Sequence, residues 1–403
     1  MITASLQEAL SLVIDHRGKT VKKMGADFSL AGHRVISAIN IKDRRIDNEN
    51  LRYVSSDVYE QWMKEPLRAG DVLLTSEAPL GELAYIEEDS DDCLGQRLFA
   101  LRGKPDVLHG RYLFYALSFG QAREDLMSRA TGTTVTGIRQ SELLKVRIEL
   151  PPMAEQIAIA GVLGALDDKI ESNRCITATI ENLVPLLFQS MTTDIELRLL
   201  PEVAKLQKGI SYRSVDLEDS QTAMVTLKSY DRKGGYKSDG LKPYIGKYKP
   251  EQVLLPGDMA VAQTDLTQGA EVVGRVIRIP SQDGFATLVA SLDLVIVRPL
   301  DAIDQTYLYG ALLQEDFREH CRSRTSGTTV LHLGSDALPS YRIPWATSDI
   351  RKAFADEVLP LLREHDSLTK ECATLERLRD ALLPELLSGR LRVKDAELMM
   401  ENA

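Results

Sequence analysis

From Ile159 onward, large apolar residues return at alternating steps of four and three: Ile159, Leu163, Leu166 and Ile170, then Ile180, Val184 and Leu187 after the polar members Asn173 and Thr177. This spacing keeps one narrow stripe on one side of an α-helix, the seam of a coiled coil rather than the wider face of a core helix. A second stripe runs through Phe354, Val358, Leu361, His365, Leu368, Cys372, Leu375, Arg379, Leu382 and Leu386. Polar members in both stripes fix register at a cost in stability. Pro185, Pro360 and Pro384 predict kinks or local ends, because proline has no amide donor and its ring crowds the carbonyl four residues earlier. Residues 153–191, if wholly helical, would span about 58 Å at ~1.5 Å per residue, which is a natural spacer.

Ahead of the first stripe the period shortens. Val35-Ile36-Ser37-Ala38-Ile39, Asp71-Val72-Leu73-Leu74 and Gly81-Glu82-Leu83-Ala84-Tyr85-Ile86 read as strands, and Tyr112-Leu113-Phe114-Tyr115-Ala116-Leu117 reads as a helix. Leu150-Pro151-Pro152 then stops this region, since prolines cannot donate to a ladder yet suit a helix start.

The whole arrangement occurs twice. Ala130-Thr131-Gly132-Thr133-Thr134-Val135 returns as Thr325-Ser326-Gly327-Thr328-Thr329-Val330, a step of 195 in a chain of 403 residues. Gly70-Asp71 matches Gly257-Asp258, Asp43-Arg44 matches Asp231-Arg232, and Arg147-Ile148 matches Arg342-Ile343. The predicted fold class is therefore α+β: two pseudo-repeated mixed α/β domains, 1–152 and 196–346, joined by two long helices, 153–195 and 347–392, with a tail at 393–403. The first helix leaves the first domain and the second begins at the second domain, so paired seams form an antiparallel coiled coil. Its seam residues are Leu163, Leu166, Ile170, Ile180, Leu187, Leu361, Leu368, Leu375 and Leu382.

A net charge of −10 argues at first against nucleic acid, since duplex DNA repels an acidic surface. The globular segments, however, are near balance, with 20 basic against 22 acidic residues over 1–152 and 18 against 19 over 196–346. Local patches therefore decide what they bind. Four cysteines without CxxC spacing exclude a zinc or disulfide framework, and no apolar run is long enough to span a bilayer, which places the chain in the cytoplasm with no membrane partner.

The strongest local patch is residues 228–249, where Lys228, Arg232, Lys233, Lys237, Lys242, Lys247 and Lys249 interleave with Tyr230, Tyr236, Tyr244 and Tyr248. Cations neutralise phosphates and tyrosines stack or hydrogen-bond, so Lys228, Tyr230, Arg232, Lys233, Tyr236 and Lys237 are candidate DNA contacts. An ordinary lysine-rich loop with half-buried tyrosines has the same sequence. The first copy offers the weaker set Asn40, Lys42, Arg44 and Arg45. The threonine-glycine loops add Arg129, Thr131, Gly132 and Thr133 in one copy and Arg322, Arg324, Gly327 and Thr328 in the other. Hydroxyls beside arginines suit phosphate or base-edge contact, and they equally suit a capped structural turn.

Enzyme motifs fail. Gly18-Lys19-Thr20 would need its first P-loop glycine at Val13, Pro151-Pro152 lacks the flanking residues of an amino-methyltransferase motif, and Asp167-Asp168-Lys169 sits mid-helix as surface charge. No metal site and no catalytic residue is expected, and no cofactor on this chain.

The segment Leu150-Pro151-Pro152-Met153-Ala154-Glu155-Gln156, with its continuation Leu166-Asp167-Asp168-Lys169-Ile170, resembles the central conserved region of the DNA specificity (S) subunits of type I restriction-modification systems. Leu378-Arg379-Asp380-Ala381-Leu382-Leu383-Pro384-Glu385-Leu386-Leu387-Ser388-Gly389-Arg390 is similar to the close of their distal conserved region. The resemblance implies two target-recognition domains that each read half of a split double-stranded DNA site, and helices that dock two modification (methyltransferase) subunits. Restriction subunits, ATP-dependent endonuclease-translocases, would join them. S-adenosylmethionine, ATP and Mg would then belong to those partners. Gly132, Gly327, Gly70-Asp71, Gly257-Asp258 and Gln96-Arg97 resemble landmarks of the family's recognition domains. One departure is that the second helix opens with Thr347-Ser348-Asp349-Ile350-Arg351 where the first has its Glu-Gln step, which implies docking surfaces of unequal strength. The competing reading is a coiled-coil interaction scaffold without DNA binding.

Overall fold

A computed structural model describes residues 2–132, 135–192, 195–232, 234–280 and 284–401. The chain divides into two compact units, unit 1 comprising Met1–Ile170 with Ala373–Ala403 and unit 2 comprising Glu171–Cys372.

In unit 1 the main sheet is built from β1 (Leu10–Asp15), β2 (Val72–Thr75), β3 (Leu83–Tyr85) and β4 (Leu98–Gly103), in the order β1-β4-β2-β3 and antiparallel throughout. The helices α1 (Gly110–Ser118) and α2 (Gly120–Ser128) follow it. A smaller sheet sets His33–Ile36 between Arg52–Val54 and Cys93–Leu94. Val72, Leu74, Phe99 and Leu101 face α1 in one core, whereas Leu73, Ala84, Leu98 and Ala100 face the small sheet in another, as strand alternation requires. The strand expected over residues 35–39 stops at Ile36. Ser37 there accepts the role of a turn start, with its amide and hydroxyl both donating to the Asn40 side chain.

The chain then enters α3 (Met153–Met191), and unit 2 repeats the plan. Its main sheet consists of β5 (Ala204–Lys208), β6 (Met259–Ala262), β7 (Val276–Arg278) and β8 (Leu294–Pro299), in the order β5-β8-β6-β7, followed by α4 (Gln305–Leu312) and α5 (Glu315–Arg322). The strand order is that of unit 1, position for position. Both units also tie the start of the globular segment to its end, pairing Ile2–Ser5 with Arg147–Leu150 and Glu196–Leu199 with Arg342–Trp345.

The repeated landmarks have structural causes. Asp71 forms a two-pronged pair with Arg102 at 2.8 Å, and Asp258 pairs with Arg298 at 3.0 Å from its Nε. Each carboxylate also accepts the amide three residues before it, Arg68 at 2.9 Å and Leu255 at 2.8 Å. Gly132 and Gly327 have φ of +121° and +124°, and a Cβ at either would overlap the carbonyl oxygen of Val135 or Val330. That backbone admits only glycine.

Two long helices complete the fold: α3 and α6 (Ser348–Leu387). They run on through Pro185, Pro360 and Pro384, contrary to the expected breaks, because burial of the seam outweighs one lost backbone bond of about 3 kcal/mol per proline. In unit 2 the two helices pair antiparallel: Asn173 Nδ2 donates to Glu371 at 2.9 Å, His365 meets Glu181 at 3.2 Å, and the Phe188 and Phe354 rings lie 5.5 Å apart. In unit 1, Leu163 and Leu166 join Leu382, Leu383 and Leu386 in the core. Ile170, Ile180, Leu368 and Leu382 are buried and Leu187, Leu361 and Leu375 partly so, as seam residues should be. The segment expected as a tail forms α7 (Val393–Glu401), whose Ala396 is fully buried in the core of unit 1.

Asp167 is not loose surface charge. Tyr115 Oη donates to it at 2.6 Å and Arg379 Nη1 at 2.7 Å, while Asp168 holds Arg111. Gln156, 1% exposed, donates from Nε2 to the carbonyls of Val107 at 3.0 Å and Pro151 at 2.9 Å, and its Oε1 accepts the His109 amide at 2.9 Å. Arg351, 195 positions later, donates to the Ala346 carbonyl at 2.7 Å and to Asp304 at 2.6 Å. Both side chains clamp the helix start to the preceding fold. The other residue of the step, Glu155, is exposed, and its counterpart Ile350 is half-buried.

Candidate nucleic-acid interface

In unit 2 the basic segment closes a short hairpin, with Tyr230 bridged to Tyr236. Lys228, Arg232 and Lys237 are exposed. Arg232 lies 3.4 Å from Glu271, and Lys237 lies 4.0 Å and 3.9 Å from Asp231 and Asp239, distances that leave these cations free to turn toward an external anion. Lys233 falls outside the described residues.

Tyr230 leaves the candidate set. It is 4% exposed and its Oη donates to the Ala260 carbonyl at 2.8 Å, so the ring is a core member that anchors the hairpin to β6. Tyr236 packs beside it, and burial pushes its phenol well above the usual range. Tyr230 and Tyr236 thus form the inner side of the hairpin, with the cations on the outer side, while Tyr244 is buried elsewhere and Tyr248 is exposed.

A second group of cations lies beside this hairpin. Arg275 Nε and Arg318 Nη2 donate to the Glu271 carbonyl at 2.6 Å and 3.0 Å, and Arg322 Nε donates to the Ala270 carbonyl at 3.3 Å. Burial lowers the affinity of Arg275 and Arg318 for their protons, and the neighbouring arginines lower it further. Arg322 also pairs with Glu315 at 3.1 Å. Arg324 is exposed beside the glycine loop, in which Gly327 and Thr328 are exposed as well. Sequence inspection found Arg322 and Arg324 and missed Arg275 and Arg318. They stand far apart along the chain, and only the approach of β7 to α5 makes them a group.

Unit 1 is more self-contained. Asn40 is buried, donating to the carbonyls of Asp47 and Glu49 at 3.3 Å and 3.0 Å, and Lys42 pairs with Asp47 at 2.8 Å. Arg44, in the turn of the hairpin Ile41–Lys42 and Arg45–Ile46, is tucked 3.5 Å from Asp380 instead of reaching outward. Burial pulls its proton affinity down, and the nearby Arg379 adds to that. Arg129 pairs with Asp125 at 2.9 Å and lies 3.6 Å from Glu142. Arg45 and Thr131 remain exposed, with Thr131 and Gly137 exchanging backbone bonds at 2.8 Å and 3.0 Å. Thr133 lies outside the described residues. Asn40 and Arg44 are thus corrected to structural roles, by burial in one case and by the α6 carboxylate in the other.

Among the described residues no group of histidine, cysteine or acidic side chains is arranged to hold a metal ion, and no helix is long and apolar enough to cross a membrane.

Residues 17–182 match the type I restriction modification DNA specificity domain. The MjaIX specificity subunit of Methanocaldococcus jannaschii is 24% identical over 356 residues, covering 81% of this chain and 78% of the relative. Over residues 17–182 the chain carries the DNA specificity domain of type I restriction-modification systems. The HindI specificity subunit of Haemophilus influenzae is 20% identical over 404 residues, covering 81% of this chain and 88% of its own length. The type I S subunit of M. genitalium shares the fold, with a TM-score of 0.62 at 17% identity over 96% of this chain and 95% of that one. The repeated sheet order and the paired helices are therefore a fold that this chain shares with that S subunit.

Proposed function

We propose that this chain gives a type I restriction-modification complex its DNA sequence specificity, with unit 1 and unit 2 each reading one half of a split duplex site. The observation that carries this reading is the repeat itself. Two units with one strand order and the same buried Asp–Arg pairs present different side chains on their loops, which suits reading two unlike half-sites on a common framework. Exposed cations at Lys228, Arg232 and Lys237 supply phosphate contacts, which position a protein on DNA without reading it.

The paired helices dock two modification subunits, and restriction subunits join that assembly. Ile157, Ile176, Leu183, Leu186 and Leu359 are all at least 37% exposed, lie on α3 and α6, and are not used by the seam. Apolar residues left outside a satisfied seam suit a partner protein. S-adenosylmethionine, ATP and Mg act on those partners, and this chain is non-catalytic.

The test is methylation of genomic DNA by the chain alone, by its modification subunit alone, and by both together. The reading requires site-specific adenine methylation only from the combination. Methyl transfer by the chain alone contradicts it, and an unchanged pattern when the chain is omitted leaves only a protein scaffold.

A further inference from the structure

The two units are built alike, and one place where they differ is the loop joining the second and third strands of the main sheet. It comprises residues 76–82 between β2 and β3, and residues 263–275 between β6 and β7. Two like domains that read different sequences must differ where they read. The extra residues of unit 2 are not slack. Asp265, 2% exposed, accepts the amides of Thr267, Val272 and Val273 at 2.9, 2.6 and 3.1 Å and the Thr267 hydroxyl at 2.8 Å. Burial opposes its ionisation, but these hydrogen bonds outweigh it and hold the carboxyl below its usual range.

The loop is braced from the side as well. Thr264–Asp265 pairs with Leu331–Leu333, which pairs with Thr325–Ser326, so the long loop and the glycine loop are adjoining tips of one small sheet. Gln268 Nε2 donates across the tips to the Thr328 carbonyl at 2.8 Å. At the end of this brace Leu266 is 70% exposed, with Gln268 and Gly269 also exposed. Four bonds to a buried carboxylate fix the loop backbone that carries this apolar side chain, so less backbone freedom is left to lose when a partner arrives, which lowers the cost of binding.

The surroundings name the partner. Arg275, Arg318 and Arg322 bond the carbonyls at the foot of the loop, and Arg232 from the basic hairpin lies 3.4 Å from Glu271 in the same foot. Cations thus stand around the foot and uncharged side chains occupy the tip. That order fits a duplex, in which phosphates border a groove and base edges lie within it.

We propose that Leu266–Gly269 is the base-reading finger of unit 2, with Leu266 in apolar contact with a thymine methyl group in the major groove and Thr328 beside it at a base edge. The proposal rests on the DNA-recognition reading above. It is tested by producing the full chain with its modification subunits and sequencing the methylated sites for the wild type, Leu266→Ala and Leu266→Asp. Leu266 is exposed, so neither change removes core packing. Leu266→Ala is expected to relax discrimination at a single A·T position of one half-site by about ten-fold and to leave the other half unchanged. Leu266→Asp, whose charge repels the phosphates, is expected to reduce methylation of the whole site. An unchanged site and rate in both variants overturns the finger while leaving the recognition reading in place. Uniform weakening in Leu266→Ala, with no position relaxed, also overturns it, because the side chain then supplies affinity and not readout. Absence of site-specific methylation from the wild-type complex sinks the recognition reading and this proposal together.

Discussion

Unit 1 and unit 2 close the same joint with opposite chemistry. Where the first unit packs against its share of the long helices, Tyr115 and Arg379 both bond Asp167, a polar join within an otherwise apolar core. The position 195 residues after Tyr115 is Gly310, and a Cβ there would lie 2.7 Å from the Phe354 ring and 2.9 Å from the Phe188 ring. Unit 2 fills that place with aromatic rings: Phe188 and Phe354 cross at 87°, and Tyr307 and Trp345 meet edge-on at 5.3 Å. Strand order and clamp positions survive this exchange. The framework is set by where side chains meet, and the chemistry of the meeting is free to change if both sides change together.

That difference can be probed because each unit carries one buried tryptophan, Trp62 in unit 1 and Trp345 in unit 2. Replacing the other tryptophan by phenylalanine gives urea unfolding a reporter for each unit. The largest effect is expected from Phe354→Ala, about 3–5 kcal/mol at the Trp345 transition, since an aromatic ring leaves a cavity the neighbours cannot fill. A loss below about 1 kcal/mol would mean the aromatic joint contributes little. Next comes Asp167→Ala, which takes the acceptor from Tyr115 and leaves Arg379 only its pair with the exposed Asp380, and should cost about 2–4 kcal/mol at the Trp62 transition. Asp167→Asn should cost less, because it keeps an acceptor for Tyr115.

A loss of stability with rising pH through a paired histidine belongs to unit 2. His365 on α6 faces Glu181 on α3 and Asp366 on its own helix, and Asp366 is held in turn by Arg278 of β7, with Tyr309 nearby. Burial by itself would push the imidazole down, but the two carboxylates more than reverse this and raise it to about 9. A raised folded-state value stabilises the fold fully below the ordinary value of ~6.5 and is lost as pH rises through about 9. The Trp345 transition should therefore weaken by roughly 2–3 kcal/mol between pH 6.5 and 9.5 and lose that dependence in His365→Gln. Unit 1 has Ile170 at the matching position, and its Trp62 transition should lack this component. Equal slopes for both reporters would remove the network as the cause.

The smallest effect is expected from Arg351→Gln, which installs the clamp of unit 1 in unit 2. Gln156 shows that an amide can hold the helix start, so the loss should be about 1–2 kcal/mol, arising from Asp304 left without its partner. A larger loss, measured by the same unfolding curve, would mean the two clamps are not equivalent.

Much of this architecture was legible in the chain. The four-three stripe located both helices because a seam must return every seven residues, and the repeat located the paired units because identical backbone demands leave identical glycines at Gly132 and Gly327. The three prolines misled because local propensity yields to a buried seam. Tyr230, Asn40 and Arg44 misled for a related reason: a polar or cationic residue in a basic stretch looks the same whether its partner is a phosphate, a carbonyl of β6 or a carboxylate of α6. Arg275 and Arg318 were invisible because their grouping depends on strands and helices far apart in sequence. The one readable sign of the finger was a length difference between repeats, which marks a place where two copies need not agree.

The central claim, that each unit reads its own half of a split site, is tested most directly by exchanging residues 196–346 for the matching segment of another specificity subunit and sequencing the methylated sites of the hybrid complex. The account predicts a site in which one half is replaced and the other is kept. A hybrid that methylates a site altered in both halves, or one with neither half altered, would contradict it.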